Sequence, residues 1–145
     1  MGATRPNSLR INPIPPQLVN AVWIDALPFL VEAIDNSDNE VTVAYVHQQC
    51  INGVWDMWVA TRGDSLVGFT ILEPLWSAKG MWVNIVFAGF DKDLRVMNKV
   101  LRRIEEVAES TGACGVKYIS ADRRFGSYAE RKGYRERYRE YVKEF

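Results

Sequence analysis

The sequence predicts a single α/β domain built around a mixed β-sheet, and three observations support this prediction. The chain has 145 residues, the usual size of one domain, and 48% of them are apolar, which is enough for one substantial core. The most hydrophobic run, residues 81–90, is typical of a buried central strand. The clearest helical periodicity follows directly over 91–111, where one apolar stripe recurs every three or four residues.

The N-terminal half is predicted to contain one strand, two helices and a β-hairpin. Residues 1–7 are polar and expected to be flexible, so the domain itself covers 8–145. Pro28 falls inside the first helix, where it is expected to cause a kink or a break. The predicted elements are, in chain order, a short strand at Leu9 and Ile11, helices over 17–34 and 41–51, and strands over 55–61 and 66–72.

The C-terminal half is predicted to alternate strands and helices. Its elements are the strand 81–90, the helix 91–111, a strand over 115–120 and a short helix over 127–132. Gly112 and Gly133 follow the two helices and are expected to end them. Residues 134–145 alternate aromatic and charged side chains, a pattern that fits exposed strands and also fits a helix; we favour strands.

Composition narrows the classes of function. The chain has 18 basic and 18 acidic side chains, a balance that argues against nucleic-acid binding. Residues 1–60 carry two basic and six acidic side chains, whereas residues 117–145 carry nine basic and five acidic ones. This uneven distribution of charge favours a protein partner or a homo-oligomer. Two cysteines without ligand spacing and one histidine predict no metal site and a cytoplasmic protein with reduced thiols. Neither a transmembrane helix nor a signal peptide is predicted.

Three passages match one known family in order and spacing. They are the turn and strand around Val67-Gly68, the strand and helix over 81–112, and the tyrosine-bearing segment 125–134. Together they resemble the GNAT superfamily of N-acetyltransferases over essentially the whole chain. The resemblance implies the acyl-CoA N-acyltransferase fold, a mixed central sheet of six to seven strands flanked by about four helices, with the last two strands in 134–145. A helix in 134–145 would instead favour an unrelated α/β domain.

The resemblance also implies where the chemistry of acyl transfer would lie. Backbone N–H groups near Phe87 and Ala88 would polarise the thioester carbonyl of acetyl-CoA. Tyr128 would protonate the leaving thiolate, although the tyrosine of the family aligns one position later. The position that often supplies a general base holds Asn84, which cannot accept a proton, so Asp56 and Glu73 are the nearby carboxylates that could replace it.

The loop before the long helix departs from the family pattern. In the family, a loop of the form Arg/Gln-x-x-Gly-x-Gly/Ala lets backbone N–H groups hold the CoA pyrophosphate at a helix N-terminus. In this chain Lys92 stands at the Arg/Gln position of that motif, Arg95 at its glycine and Met97 at its final Gly/Ala. Asp91 and Asp93 flank the site and would repel phosphate, whereas Lys92 and Arg95 could bind it through their side chains.

Two functions remain open at this point. The altered loop favours a non-catalytic structural or protein-interaction module without a cofactor. Such degenerate domains resemble small internal or tail-associated proteins of short-tailed phages, which implies a virion component or a protein of the host cytoplasm. The alternative is an acetyl-CoA-dependent N-acetyltransferase that acts on a small amine or a protein amine. A notch between the fourth and fifth strands distinguishes the two, because Met97 or a neighbouring side chain filling that notch would exclude the enzyme.

Overall fold

A computed structural model describes residues 8–37, 41–91, 93–119, 128–137 and 140–145. Within them, five strands form one sheet: β1 (Leu9–Ile14), β2 (Asp56–Arg62), β3 (Ser65–Ser77), β4 (Gly80–Phe90) and β5 (Gly115–Tyr118). The helices are α1 (Val19–Asp35), α2 (Val43–Ile51) and α3 (Leu94–Ser110), with a 3-10 turn at Pro16–Leu18 and a helical turn at 128–131. The predicted α/β class with a mixed sheet is therefore confirmed.

The strands lie in the sheet in the order in which they occur along the chain. The pairs β1–β2, β2–β3 and β3–β4 are antiparallel, while β5 pairs with β4 in parallel. Two-residue turns join β2 to β3 and β3 to β4, and the first uses Gly63 with a positive φ of 61°. The parallel pair requires a crossover, which α3 provides.

The sheet separates two hydrophobic cores. On one face, here called the α1/α2 face, α1 and α2 pack against β2, β3 and β4. On the other, the α3 face, four buried residues of α3 recur at four-residue spacing, which aligns them along one side of the helix: Val96, Val100, Ile104 and Ala108. These two cores determine which side chains meet on each face of β4.

The predicted count of six to seven strands is wrong for the described residues, which contain five. Residues 134–137 and 140–145 form neither strand nor helix. The side chains of Tyr141 and Val142 are exposed, so they do not form the buried face that would hold a strand against the sheet. In α1, the helix continues through Pro28 without a break.

One helical segment, Pro16–Asp35, is long and apolar enough to cross a membrane by length and composition alone. The core helix of a globular domain passes the same test. In this fold α1 buries one side against the sheet, through Val19, Ala26, Leu30 and Ile34. That packing is the arrangement of a core helix.

Candidate functional site

The central strand β4 contains a β-bulge. Ile71 of β3 pairs with Phe87, but the next residue, Leu72, pairs with Ile85, so Val86 is an extra residue in β4. Val86 and Phe87 both belong to the core of the α1/α2 face, whereas Ile85 belongs to the core of the α3 face. A bulge of this kind leaves backbone groups outside the regular hydrogen-bond ladder and bends the strand.

The pairing of β4 with β5 ends at the same point, because β5 ends at Tyr118. Their last pair is Ile85 with Tyr118, yet β4 continues to Phe90. Over residues 86–90, the edge of β4 that faced β5 has no strand partner within the described residues. We call this opening the β4/β5 split. Because the bulge lies directly at its base, backbone groups of β4 can reach a molecule inserted between the strands.

A small apolar cavity, with a volume of about 20 Å³, lies on the α3 face beside the β4/β5 split. Its lining comes from β4, α3, β5 and the helical turn at 128–131: Ile85, Ala88, Phe90, Met97, Val100, Leu101, Ile104, Tyr118 and Tyr128. Met97 forms part of the wall, and the space left between the side chains is about that of one water molecule. That a filled notch would exclude the enzyme stays a prediction. The lining is apolar, and an acyl arm would enter it only by displacing side chains of the wall.

Tyr128 supplies the hydroxyl group of the cavity. Its side chain is buried, and the hydroxyl donates a hydrogen bond to Asn98 Oδ1 on α3. Burial, followed by the nearby Glu105 carboxylate, raises the pKa of Tyr128 above its usual value. The phenol is therefore held in its protonated form, which is the form that can donate a proton.

The N-terminus of α3 is filled by the side chain of Asp93. Its Oδ1 accepts a hydrogen bond from Arg95 N at 2.9 Å, and its backbone oxygen accepts one from Val96 N at 3.0 Å. The carboxylate also lies 3.2 Å from Arg95 Nε and 3.8 Å from Arg62 Nη2. The hydrogen bond from the Arg95 backbone, then that from its side chain, lowers the pKa of Asp93. The carboxylate of Asp93 thus occupies the N-terminus of α3.

The structure brings together some of the predicted site residues and separates others. Ala88 and Tyr128 line the same cavity, while Phe87 points into the opposite core and can contribute only its backbone beside the bulge. Arg95 lies at the α3 N-terminus, paired with Asp93. Lys92 lies outside the described residues. The roles assigned to these residues stay predictions.

Neither the role of Asn98 nor the β-bulge in β4 is predicted from the sequence. Asn98 is a polar residue on the apolar stripe of α3, three residues before Leu101, and that position was the available signal. The run 81–90 carries no signal for the bulge, because the run is apolar on both faces of the strand. Its position depends on the register of β3 against β4.

The candidate general bases have different surroundings. Glu73 accepts hydrogen bonds from Trp55 Nε1 at 2.8 Å and from Asn84 Nδ2 at 2.9 Å. Asn84 directly precedes Ile85, so this carboxylate lies one residue from the base of the split. Asp56 is on β2, where desolvation raises its pKa although much of its side chain is exposed. Position therefore favours Glu73 over Asp56 as the proton acceptor.

No protein-family model matches this chain, and no curated protein matches it. Solved structures do. The chain superposes on a ribosomal-protein-alanine N-acetyltransferase from Brucella melitensis with a TM-score of 0.73, at 14% identity, covering 95% of this chain and 99% of the other. An aminoglycoside acetyltransferase from an uncultured soil metagenomic sample gives a TM-score of 0.72 at 13% identity, with 94% and 96% covered.

A third similar structure was solved with acetyl-CoA. It is a predicted acetyltransferase with acetyl-CoA from Clostridium acetobutylicum, with a TM-score of 0.68 and 8% identity, covering 95% of this chain and 96% of the other. These likenesses show the fold, since the identities are low. The acetyltransferase fold implied by the sequence resemblance is confirmed, and the non-catalytic and virion interpretations receive no support from these neighbours.

Proposed function

We propose that this chain, which has the GNAT fold, is an N-acyltransferase that uses acetyl-CoA as donor and a primary amine as acceptor. One observation carries the proposal: the bulge, the β4/β5 split and the cavity containing Tyr128 coincide at a single point of β4. Packing alone does not require this coincidence. A strand that only supported a core would gain from continuing its pairing with β5.

The residues of the split suit the acyl arm of the donor. The cavity walls are apolar, and Ala88 is a small side chain beyond the last pair of β4 with β5. An amide of β4 beside the bulge, at Val86 or Phe87, is suited to donate a hydrogen bond to the thioester oxygen as negative charge develops on it. The α3 N-terminus suits the donor less well, because Asp93 takes the amides that would hold a diphosphate. Arg95 and Arg62 are the side chains there that could bind phosphate.

Tyr128 is the proposed proton donor to the leaving thiolate. Its hydroxyl lies in the wall of the cavity, and its raised pKa keeps the proton on it at neutral pH. The hydroxyl donates its one proton to Asn98 Oδ1 in the free protein, so transfer to the thiolate requires the O–H bond to turn from Asn98 towards the sulfur. Tyr128 is thus proposed to act directly, and Asn98 to position it.

The acceptor is a small amine or a protein amine. Two of the similar structures are named for such acceptors, an aminoglycoside in one and the alanine of a ribosomal protein in the other. The second name specifies transfer of the acetyl group to nitrogen, and this is what supports an amine acceptor here.

A second candidate function is a protein-interaction module without catalysis, and the α3 N-terminus favours it. Asp93 and its two arginine partners satisfy the helix end without any ligand. Exposed apolar side chains at Ile24 and Trp76 offer contact area for a partner or a second copy of the chain. This function predicts that acetyl-CoA does not bind.

Calorimetric titration of the full chain with acetyl-CoA separates the two functions. The transferase predicts a dissociation constant in the micromolar range, and free thiol release when a primary amine is added. The double substitution Arg62→Ala plus Arg95→Ala is expected to weaken binding if these side chains hold the phosphates. Absence of binding at millimolar acetyl-CoA by a folded protein overturns the proposal and leaves the interaction module.

A further inference from the structure

We infer that the acceptor is an amine that also carries an anionic group, and that it binds along a charged row made of Glu73, Asn84 and Lys117. The inference rests on the proposed acyl transfer and names the substrate class of that site. The charged row lies on the α1/α2 face, opposite the cavity proposed for the donor arm. Donor and acceptor would then reach the β4/β5 split from opposite faces of the sheet.

Strand pairing places the three residues side by side. Glu73 of β3 pairs with Asn84 of β4, and Asn84 pairs with Lys117 of β5. Paired residues project to the same face of a sheet. Their neighbours Leu72, Val83 and Val116 all belong to the core of the α3 face, which leaves the α1/α2 face to the charged row. The next pair of β4 and β5 is the last before the split, so the charged row lies directly below it.

The acidic end of the charged row is held in one orientation. Each carboxylate oxygen of Glu73 accepts one hydrogen bond, from the Trp55 indole and from the Asn84 amide. Neither donor carries charge, and Glu73 forms no ion pair within the described part of the chain. Further lone pairs on both oxygens remain available. An ammonium group would supply the missing countercharge and the missing hydrogen bonds together.

The basic end of the charged row has two cations around one indole. Lys117 Nζ lies 4.8 Å from the ring centre of Trp82, and the guanidinium carbon of Arg137 lies 5.5 Å from it. No carboxylate of the described residues lies within 4.0 Å of either cation. Trp82 lies two residues before Asn84 and projects to the same face. This pair of cations suits a carboxylate or a phosphate of the acceptor.

The separation of the two ends sets the shape of the acceptor. Lys117 is two strand spacings from Glu73, about 9.6 Å along the sheet. An amine and an anion joined by a chain of several atoms can contact both ends, whereas a diamine would place a cation beside Lys117. In the reaction, Glu73 takes one proton from the bound ammonium, the freed lone pair bonds to the thioester carbon, and the C–S bond breaks as Tyr128 protonates the sulfur. The nitrogen then releases its second proton to water, water returns a proton to the Tyr128 phenolate, and Glu73 gives up its proton to solvent.

The test compares acceptors of equal length with acetyl-CoA as donor. We expect kcat/KM for 6-aminohexanoate and 6-aminohexyl phosphate to exceed that for 1,6-diaminohexane by at least tenfold; the relative rates of the first two identify the preferred anion. Lys117→Glu is expected to reverse the preference between 6-aminohexanoate and the diamine. Lys79→Glu makes the same charge change in the exposed β3–β4 turn, and this variant is expected to keep the wild-type preference for 6-aminohexanoate. Equal use of the diamine by the wild type overturns the inference.

A second measurement does not need the donor. Titration with 6-aminohexanoate is expected to shift the indole N–H resonances of Trp55 and Trp82 in a ¹H–¹⁵N spectrum, while hexylamine shifts only that of Trp55. Glu73→Gln is expected to abolish the shifts that 6-aminohexanoate causes. Unshifted indole signals overturn this inference even if acetyl-CoA binds and amines are acetylated. Shifted signals without acetyl-CoA binding support the amine site and contradict the proposed function.

Discussion

The two ends of the proposed donor site differ in what occupies them. At the β4/β5 split the pairing of the strands ends beside a small apolar cavity, and no charged side chain of its lining opposes an acyl arm. At the α3 N-terminus the opposite holds, because Asp93 fills the anion position with its own carboxylate. Shape and charge are thus retained independently, and a site can keep the shape needed for an acyl arm while its phosphate contacts are replaced.

The strongest test of the split removes its proton donor. Tyr128→Phe is expected to lower kcat by about 100-fold, the lower end of what general acid catalysis contributes, with little change in acetyl-CoA affinity. The hydroxyl is lost while the ring keeps filling its buried position. Steady-state kinetics measures the effect, and Tyr141→Phe in the exposed tail is the matched control. An unchanged kcat would remove Tyr128 from the chemistry.

A smaller effect is expected from filling the cavity. Ala88→Phe adds a ring where the donor arm would lie, and overpacking of this kind costs about 2 kcal/mol, or roughly 30-fold in dissociation constant. Calorimetry measures it, with a thermal melt to check folding. Ala21→Phe makes the same change on the exposed side of α1 and is expected to bind normally. If both variants bind alike, the cavity is not the donor site.

At the α3 N-terminus, removing the Asp93 carboxylate is expected to improve the binding of acetyl-CoA. Asp93→Asn keeps a residue that caps helices well but removes the charge that opposes phosphate, so acetyl-CoA affinity is expected to rise about fivefold. Asp64→Asn, in the exposed turn between β2 and β3, controls for the change in net charge. Weaker binding by the Asp93 variant would show that the carboxylate helps to hold the donor, through Arg62 and Arg95.

The smallest effect concerns pH and the stability of the same helix end. The pKa of Asp93 is lowered in the folded state, so its contribution to stability is present above the pKa of the unfolded chain and is lost as pH falls through the folded value. Urea unfolding at pH 7 and pH 3 is expected to show a stability difference between wild type and Asp93→Asn that shrinks at pH 3. A constant difference would mean that Asp93 acts only as a cap.

The fold could be predicted where local pattern and packing agree. In α3 the apolar stripe, the capping Asp93 and Gly112 mark the helix closely, because side chains three and four residues apart share one face. The two strands expected after residue 133 did not appear in the described residues. Alternation of aromatic and charged residues suits a strand, but a strand also needs a sheet edge and a buried face, which sequence alone does not supply.

The site was less predictable than the fold because it depends on register. Tyr128 lies one position before the residue that aligns with the family's tyrosine, and its place beside α3 depends on how the turn at 128–131 packs, which the sequence does not show. The pairing of Glu73 with Asn84 depends on the extra residue at Val86, and no local pattern in β4 shows it. Asn98 interrupts the apolar stripe of α3, and this interruption is the one local signal for the residue in the sequence.

The order of the strands has a consequence for how the chain folds. From β1 to β4 each strand pairs with the one before it, and two-residue turns join β2, β3 and β4, so much of this meander forms from contacts close in sequence. Strand β5 can pair only after the whole of α3 has crossed the sheet. We therefore expect the cavity to be assembled in the final folding step, so that a bound donor would slow unfolding of β5 more than that of the meander.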